Sequence, residues 1–99
     1  MKIFDLKKME SNENRNKNVF YQVKEFKARI IELPSDGKIL PCEMASYVVF
    51  YIIEGTAEIT VNNEKAIIRE GQCLVTEPAI LSMRTKNGVK ILGVQIMQQ

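Results

Sequence analysis

The stretch LPCEMASYVVFYIIEGTAEI, Leu40 to Ile59, decides which fold this sequence predicts. Positions 42–44 (Cys-Glu-Met) each carry a side chain that can hold an ion or a ligand. Residues 47–53 form an unbroken apolar run rich in aromatic and β-branched side chains, which is typical of a buried strand. Glu54-Gly55 then predicts a hard stop, because glycine weakens a strand interior. The stretch therefore predicts a strand that walls an interior space.

On both sides of this stretch, apolar and polar residues alternate with a period of two. In TAEITV, Ala57, Ile59 and Val61 share one face, while polar side chains occupy the other. Such alternation predicts a sheet with one buried face and one solvated face. Further strands are predicted for VFYQVKEF, KARIIEL, KAIIRE, QCLVTE and VKILGVQIM.

Turn signals separate these segments about every eight to twelve residues, which is the spacing of an all-β sandwich or barrel. PSDGK at 34–38 predicts a turn. Asn62-Asn63 and Asn87-Gly88 predict tight hairpins, because asparagine and glycine tolerate a left-handed backbone. Eight or more antiparallel strands must protect their edges, and a closed barrel or a two-sheet jelly roll does so. The predicted fold class is therefore all-β, with a jelly-roll β-barrel architecture.

The 99 residues are predicted to form one domain, 1–99. Within it, residues 1–18 are predicted as an N-terminal strand or short turn (residues 1–9) followed by a polar, asparagine-rich loop, and residues 19–99 as the barrel. A content of 45% hydrophobic and 26% charged residues is ordinary for a globular domain of this kind.

The charge and hydropathy of the chain argue against two classes of partner. With 14 basic and 12 acidic residues, the net charge of +2 is too balanced to predict nucleic-acid binding. No apolar run reaches the roughly 18 residues of a membrane helix. The N-terminus MKIFDLKKME places charges inside its apolar patch, unlike a signal peptide. We therefore expect a cytoplasmic protein with no nucleic-acid and no membrane partner.

The chain contains no histidine, and so it lacks the usual neutral-pH base and the imidazole ligand of metals. Its two cysteines, Cys42 and Cys73, are expected to be free thiols in a reducing compartment. Cys73 is predicted to pack in the core. Cys42 has no partner base, because the adjacent Glu43 would point to the opposite face of a strand. No catalytic residue is assigned.

The segment from Tyr47 to Gly88 resembles the region between the two conserved motifs of the cupins, a family of small jelly-roll β-barrels. The likeness is most specific in YIIEGTAEITVNNE and IREGQCLVTEP, and it extends over residues 30–97. It implies a cupin barrel and, as in many cupins, a homodimer.

The first cupin motif places two histidines and a glutamate at fixed distances before a glycine. When the motif is aligned on Gly55, the histidine positions fall on Cys42 and Met44, and the glutamate position falls on Val48. Val48 has no donor atom, so the resemblance implies the fold without the metal ligands of the family.

The second cupin motif places a third histidine after a conserved proline. Alignment on Pro78 puts this position at Met83, whereas alignment on Gly71 puts it at Ser82. Alternation favours an inward Met83, because Arg84 then faces solvent and needs no buried partner. An inward Arg84 would instead favour an anionic ligand such as a carboxylate or a sugar phosphate.

The side chains at these four positions do not suit the iron, manganese, nickel or zinc ions of cupins, because thioethers and a thiol are soft ligands. A Cu(I)-type site is the alternative, since that ion prefers thiolates and thioethers. Soft interior packing is the simpler interpretation. We therefore predict no metal and no cofactor.

The strand at 47–53 is apolar on both faces. If Val48 faces the barrel, Phe50 and Ile52 do so as well, and alternate residues from Tyr47 onward face outward. A strand with two apolar faces is buried on both. A second layer or a second copy must then cover the outer face, and we predict a homodimer.

Two functions fit these expectations. The first is a metal-free, non-catalytic cupin-like protein whose apolar interior binds a small molecule, or which serves as an interaction domain. The second is a metal-independent isomerase, epimerase or lyase acting on a sugar or small organic acid, with Glu43, Tyr47 or Arg84 transferring protons. A filled barrel without a ligand is the third possibility. The residues predicted to line the cavity are Cys42, Met44, Val48, Phe50, Ile52, Leu81, Met83 and, if it points inward, Arg84.

Overall fold

The computed structural model describes residues 1–11 and 18–97 of the chain. These residues form eight β-strands, all paired in the antiparallel sense. None of the segments described is a helix long and apolar enough to cross a membrane. The strands are β1 (Val19–Gln22), β2 (Phe26–Leu33), β3 (Lys38–Met44), β4 (Tyr47–Val61), β5 (Glu64–Arg69), β6 (Cys73–Thr76), β7 (Ala79–Arg84) and β8 (Val89–Ile96).

Strand β4, with 15 residues, belongs to both halves of a curled sheet. Its first part pairs with β8 and β6, and its second part pairs with β7 and β5. One half of the sheet has the order β1-β2-β8-β4-β6, which we call the first half, and the other has the order β3-β7-β4-β5, the second half. The core lies between the two halves, so the predicted all-β class is confirmed.

The predicted strand end at Glu54-Gly55 is wrong, because β4 continues through it. The pairing of β4 with β8 shifts register between Ile52 and Glu54. Gly55 has a φ of 87°, and a β-carbon at this position would collide with the carbonyl oxygen of Gly88. An irregularity of this kind bends a strand and increases its twist. The glycine therefore lets β4 pass from one half of the sheet to the other.

Thr85 fixes the point at which the connection from β7 to β8 passes β4. Its hydroxyl group donates a hydrogen bond to the carbonyl oxygen of Thr56 over 2.7 Å and accepts one from the N–H of Gly88 over 3.1 Å. Thr85 is buried, and these bonds satisfy its polar group away from water. The connection is thereby held beside Gly55.

The two predicted hairpins have different outcomes. Asn62 and Asn63 have φ values of 47° and 71° and join Val61 to Glu64, so the predicted tight hairpin is confirmed. The hairpin predicted at Asn87-Gly88 is wrong, because β7 and β8 each pair with β4 and not with each other. The loop between them crosses from the second half of the sheet to the first.

Of the two alternatives predicted for residues 1–9, a strand or a short turn, the structure has a turn at residues 6–8. This segment lies against the outer face of the first half of the sheet. There the buried Lys90 donates a hydrogen bond from Nζ to the carbonyl oxygen of Lys7 over 2.8 Å. Most of the predicted polar loop, residues 12–17, lies outside the described residues.

The outer face of β4 is covered only in part. Ile53 is buried, whereas Tyr47 is 50% exposed and Tyr51 is 40% exposed. On the inner face, Val48, Phe50 and Ile52 are all buried, in agreement with the predicted alternation. Within a single chain the outer face of the strand is therefore open at the two tyrosines, and its burial by a second copy stays a prediction.

Replacing Gly55 by alanine should destabilise the protein more than the same change at Gly71. The φ values of 87° and 84° are nearly equal, so the strain of the left-handed backbone costs about 1–2 kcal/mol at each. At Gly71 the added β-carbon meets nothing within 4 Å, whereas at Gly55 it meets backbone. We expect urea denaturation to show a loss of about 1–2 kcal/mol for Gly71→Ala and at least about 3 kcal/mol for Gly55→Ala. Equal losses would contradict a tight crossing at Gly55.

Candidate ligand-binding cavity

A cavity of about 410 Å³ lies between the two halves of the sheet. Its lining comes mainly from β2, β3, β4, β7 and β8, and it runs without a break from Arg29 to Leu33 along β2 and on to Pro34. Among the described residues, β1 pairs with β2 only from Lys27 to Arg29. The cavity therefore follows the edge of β2 that β1 leaves unpaired. Its volume falls within the roughly 300–1,000 Å³ of small-molecule pockets.

Most of the residues predicted to line the interior do lie around this cavity. The exceptions are Ile52 and Arg84. Ile52 is fully buried in the core and leaves no surface toward the cavity. The predicted residues that border the cavity are Cys42, Met44, Val48, Phe50, Leu81 and Met83.

Arg84 lies on the outer surface of the barrel and not in the cavity. Its Nη2 atom lies 3.2 Å from Oε2 of Glu58, and its side chain is 67% exposed. The preceding Met83 is buried and belongs to the hydrophobic core. The register that would turn Arg84 inward is therefore wrong, because β7 alternates and Met83 takes the inner face.

Arg29 is the charged residue that sequence reasoning missed. In the pairing of strands it lies opposite Gly93, and Gly93 lies opposite Phe50. A β-carbon at Gly93 would have Cγ of Arg29 and Cε1 of Phe50 each at 3.4 Å, so both side chains lie on the same face of the sheet. Because Phe50 lines the cavity, Arg29 is turned inward. Arg29 is spaced two and four residues from Ile31 and Leu33, which puts all three on one face of the strand. This spacing was the signal that could have revealed the inward arginine.

Gln95 adds an amide to the same end of the cavity. It lies two residues beyond Gly93 on β8 and therefore shares its inner face. Its Nε2 atom donates a hydrogen bond to Oγ of the buried Ser46 over 3.3 Å. This bond limits the orientations that the amide can take.

The rim of the cavity carries one acidic side chain, Glu32. Its Oε1 atom accepts hydrogen bonds from the backbone N–H and the hydroxyl group of Ser11, over 3.2 and 3.3 Å. Ser11 and Asn18 also border the cavity. One guanidinium group and one carboxylate therefore lie at an otherwise largely apolar site.

Solved structures with a similar fold identify this architecture. The TT1209 protein from Thermus thermophilus matches with a TM-score of 0.82 and 19% identity over 100% of both chains. A cupin superfamily protein from Desulfitobacterium hafniense DCB-2 matches with a TM-score of 0.76 and 16% identity, over 81% of this chain and 74% of that one. This is a cupin fold. The predicted jelly-roll barrel is confirmed.

Other cupin folds share this likeness. The cupin domain of Cnp3 from Schizosaccharomyces pombe has a TM-score of 0.73 and 18% identity, over 81% of this chain and 61% of that one. The KdgF protein from Halomonas sp. has a TM-score of 0.70 and 12% identity, over 82% and 77%. A scan against protein-family models and a search of curated proteins give no match. At these identities the likeness establishes the cupin fold and leaves the function to the site.

The residues present do not fit the divalent metal that many cupin folds hold. Val48 occupies the predicted glutamate position and has no donor atom. Cys42, Met44 and Met83 offer only soft sulfur donors. Within residues 1–11 and 18–97, no three His, Cys, Asp or Glu side chains come together as metal ligands would. The four positions form part of the cavity wall instead.

The two cysteines are both exposed and unpaired. Cys42 borders the cavity and pairs with Leu81 across β3 and β7. Cys73 pairs with Tyr51 on the outer face of the first half of the sheet. The prediction that Cys73 packs in the core is therefore wrong, because its strand directs it to the uncovered outer face.

Both thiols should react in the folded protein. We expect native protein treated with Ellman's reagent to release two equivalents of thionitrobenzoate without denaturant, because both cysteines are exposed. Cys42→Ser and Cys73→Ser should each release one equivalent. A single equivalent from the native wild type, rising to two in urea, would show that one thiol is buried.

Proposed function

We propose that this protein binds a small, largely apolar molecule in its barrel, without a metal and without catalysing a reaction. The observation that carries the proposal is the cavity of about 410 Å³ with a largely apolar lining and a few polar side chains. Ligand sites are commonly built in this way, since apolar contacts supply affinity and the polar groups fix orientation. The volume suits roughly a dozen non-hydrogen atoms, because a water molecule in the liquid occupies about 30 Å³.

The positions of the candidate proton-transfer groups support binding over catalysis. Glu43, Tyr47 and Arg84 are all exposed, and none of them lines the cavity. A general acid or base must lie within hydrogen-bond reach of its substrate. The isomerase, epimerase or lyase hypothesis thus has no observation in its favour at these residues. A filled barrel without a ligand is likewise not favoured, because the cavity exceeds the roughly 300 Å³ that a small-molecule site requires.

A substitution that fills the cavity tests the proposal. We expect a thermal-shift screen of alcohols and carboxylic acids with about six to ten carbon atoms to raise the wild-type melting temperature by at least about 5 °C for some of them. Cys42→Phe should abolish that shift, because Cys42 is exposed at the cavity and a phenyl ring can enter it.

Ile80→Phe is the matched control for Cys42→Phe. Ile80 is 54% exposed on the neighbouring strand, and it alternates with the inward Leu81. The control should keep the ligand-induced shift of the wild type. If no compound stabilises the wild type, or if Cys42→Phe leaves the shift intact, binding in the cavity is contradicted.

We also propose that the protein is a homodimer through an outer patch formed by Tyr47, Tyr51, Val75 and Ile96. These side chains lie on neighbouring strands β4, β6 and β8, and each is at least 40% exposed. The patch carries no charge, so a second copy can cover it in an isologous contact that needs no complementary charge. The free thiols suit a reducing compartment, and we propose that the dimer is cytoplasmic.

A lysine in the outer patch should separate the dimer. Val75 is 66% exposed, so the Val75→Lys variant should fold normally. It should be a monomer, because a dimer would bury the lysine charge between two copies. Light scattering at micromolar concentration should give a dimer for the wild type and a monomer for Val75→Lys. Ile80→Lys, on the outer face of the other half, should remain dimeric. A monomeric wild type would contradict the proposal directly.

A further inference from the structure

We propose that the cavity selects a molecule with an apolar body and a single carboxylate group, and that Arg29 binds the carboxylate. The inference rests on the proposed binding function and names the ligand class. Arg29 enters the cavity from β2, a strand that contributes none of the four positions predicted to replace metal ligands.

The guanidinium group of Arg29 is available for a ligand. Among the described residues, Arg29 takes part in no ion pair and no hydrogen bond through its side chain. Its stem packs beside Gly93 and Phe50, while the residue as a whole is half-buried. A partly desolvated cation without a partner favours an incoming anion. The planar guanidinium fork matches the geometry of a carboxylate with two parallel hydrogen bonds.

Gln95 supports the same assignment. Arg29 lies opposite Gly93, and Gln95 is the next inward residue along β8, so the two side chains are diagonal neighbours on one face. The Nε2 group of Gln95 has two hydrogens, and one of them is used by Ser46. The other can reach a second carboxylate oxygen held at Arg29.

Glu32 argues for a single negative charge on the ligand. It lies at the rim of the same cavity, and its carboxylate is held by the two hydrogen bonds from Ser11. Among the described residues that line the cavity, Arg29 is the one cation and Glu32 the one carboxylate, so the lining as a whole carries no net positive charge. A monoanion can pair with Arg29 at little cost, whereas a phosphate dianion would be repelled by Glu32.

The rest of the cavity requires an apolar body. Beside the polar groups, the wall includes the apolar side chains of Val48, Leu81, Met83 and Met44. A ligand such as acetate would leave this wall hydrated, while each additional methylene that enters contributes to affinity. Octanoate is therefore a suitable probe, and 1-octanol has the same chain without the charge.

The test compares these two probes by isothermal titration at pH 7.5, where the carboxyl group of octanoate is ionised. We expect wild-type protein to bind octanoate at least about tenfold more tightly than 1-octanol, because a charge-assisted pair with an arginine is among the stronger hydrogen-bonded contacts. Arg29→Met should bind both with equal affinity. Arg84→Met, with the same substitution on the outer surface, should keep the wild-type preference.

The outcomes separate this inference from the proposed function. If wild-type protein binds both probes equally, or if Arg29→Met keeps the preference, the carboxylate assignment is overturned and cavity binding stands. If wild-type protein binds neither probe, the proposed function fails and the inference fails with it.

A measurement on wild-type protein covers the case in which Arg29→Met does not fold. Phenylglyoxal modifies exposed arginines, and peptide mass analysis reports the extent at each position. Octanoate should slow the modification of Arg29 and leave that of Arg84 unchanged, while 1-octanol should protect Arg29 less. Equal modification of Arg29 with and without octanoate overturns the inference.

Discussion

The close approach of two backbones at Gly55 and Gly88 is the constraint on which the rest of the structure depends. At this point β4 passes between the two halves of the sheet, and the connection from β7 to β8 crosses beside it. Thr85 ties the crossing to Thr56 through its hydroxyl group. Because one strand serves both halves, their inner faces are held at a fixed separation. That separation is what leaves space for a cavity in a barrel whose remaining core is packed with isoleucine, valine and alanine.

Alternation made much of the inner face predictable, whereas local signals at glycine were ambiguous. The inward positions of Val48 and Met83 follow from the alternation of side chains along a strand. Once one residue is assigned to a face, the faces of its neighbours are determined. Glycine, by contrast, marks strand ends and bulges alike, so Gly55 could not be assigned without the pairing of distant strands. Cys73 was misplaced for a related reason. Its neighbours are apolar, but apolar sequence does not reveal which faces remain uncovered, and Val75 beside it is exposed.

The cavity itself was predictable only in part. The residues on β3, β4 and β7 could be located because they align with motifs of a known family. Arg29 lies on β2, outside both motifs, and an inward arginine is normally unfavourable in a filled barrel. An inward arginine at this position is understandable only once the cavity beside it is known. The volume of that cavity depends on how strands that are far apart in sequence pack together. The sequence therefore indicated the wall of the site but not the group that gives it polarity.

Gly93 is a position at which substitution could change the ligand preference of the cavity. Its backbone is not left-handed, so alanine or a larger residue would incur no conformational strain there. Its missing side chain provides the room in which Arg29, Ile31 and Phe50 meet. A single methyl group would press on the end of Ile31 and contact Arg29 and Phe50, so it would narrow the cavity and restrict the stem of the arginine together. Selection or engineering could thus change the ligand preference at one position on β8 and leave the close approach of Gly55 and Gly88 unaltered.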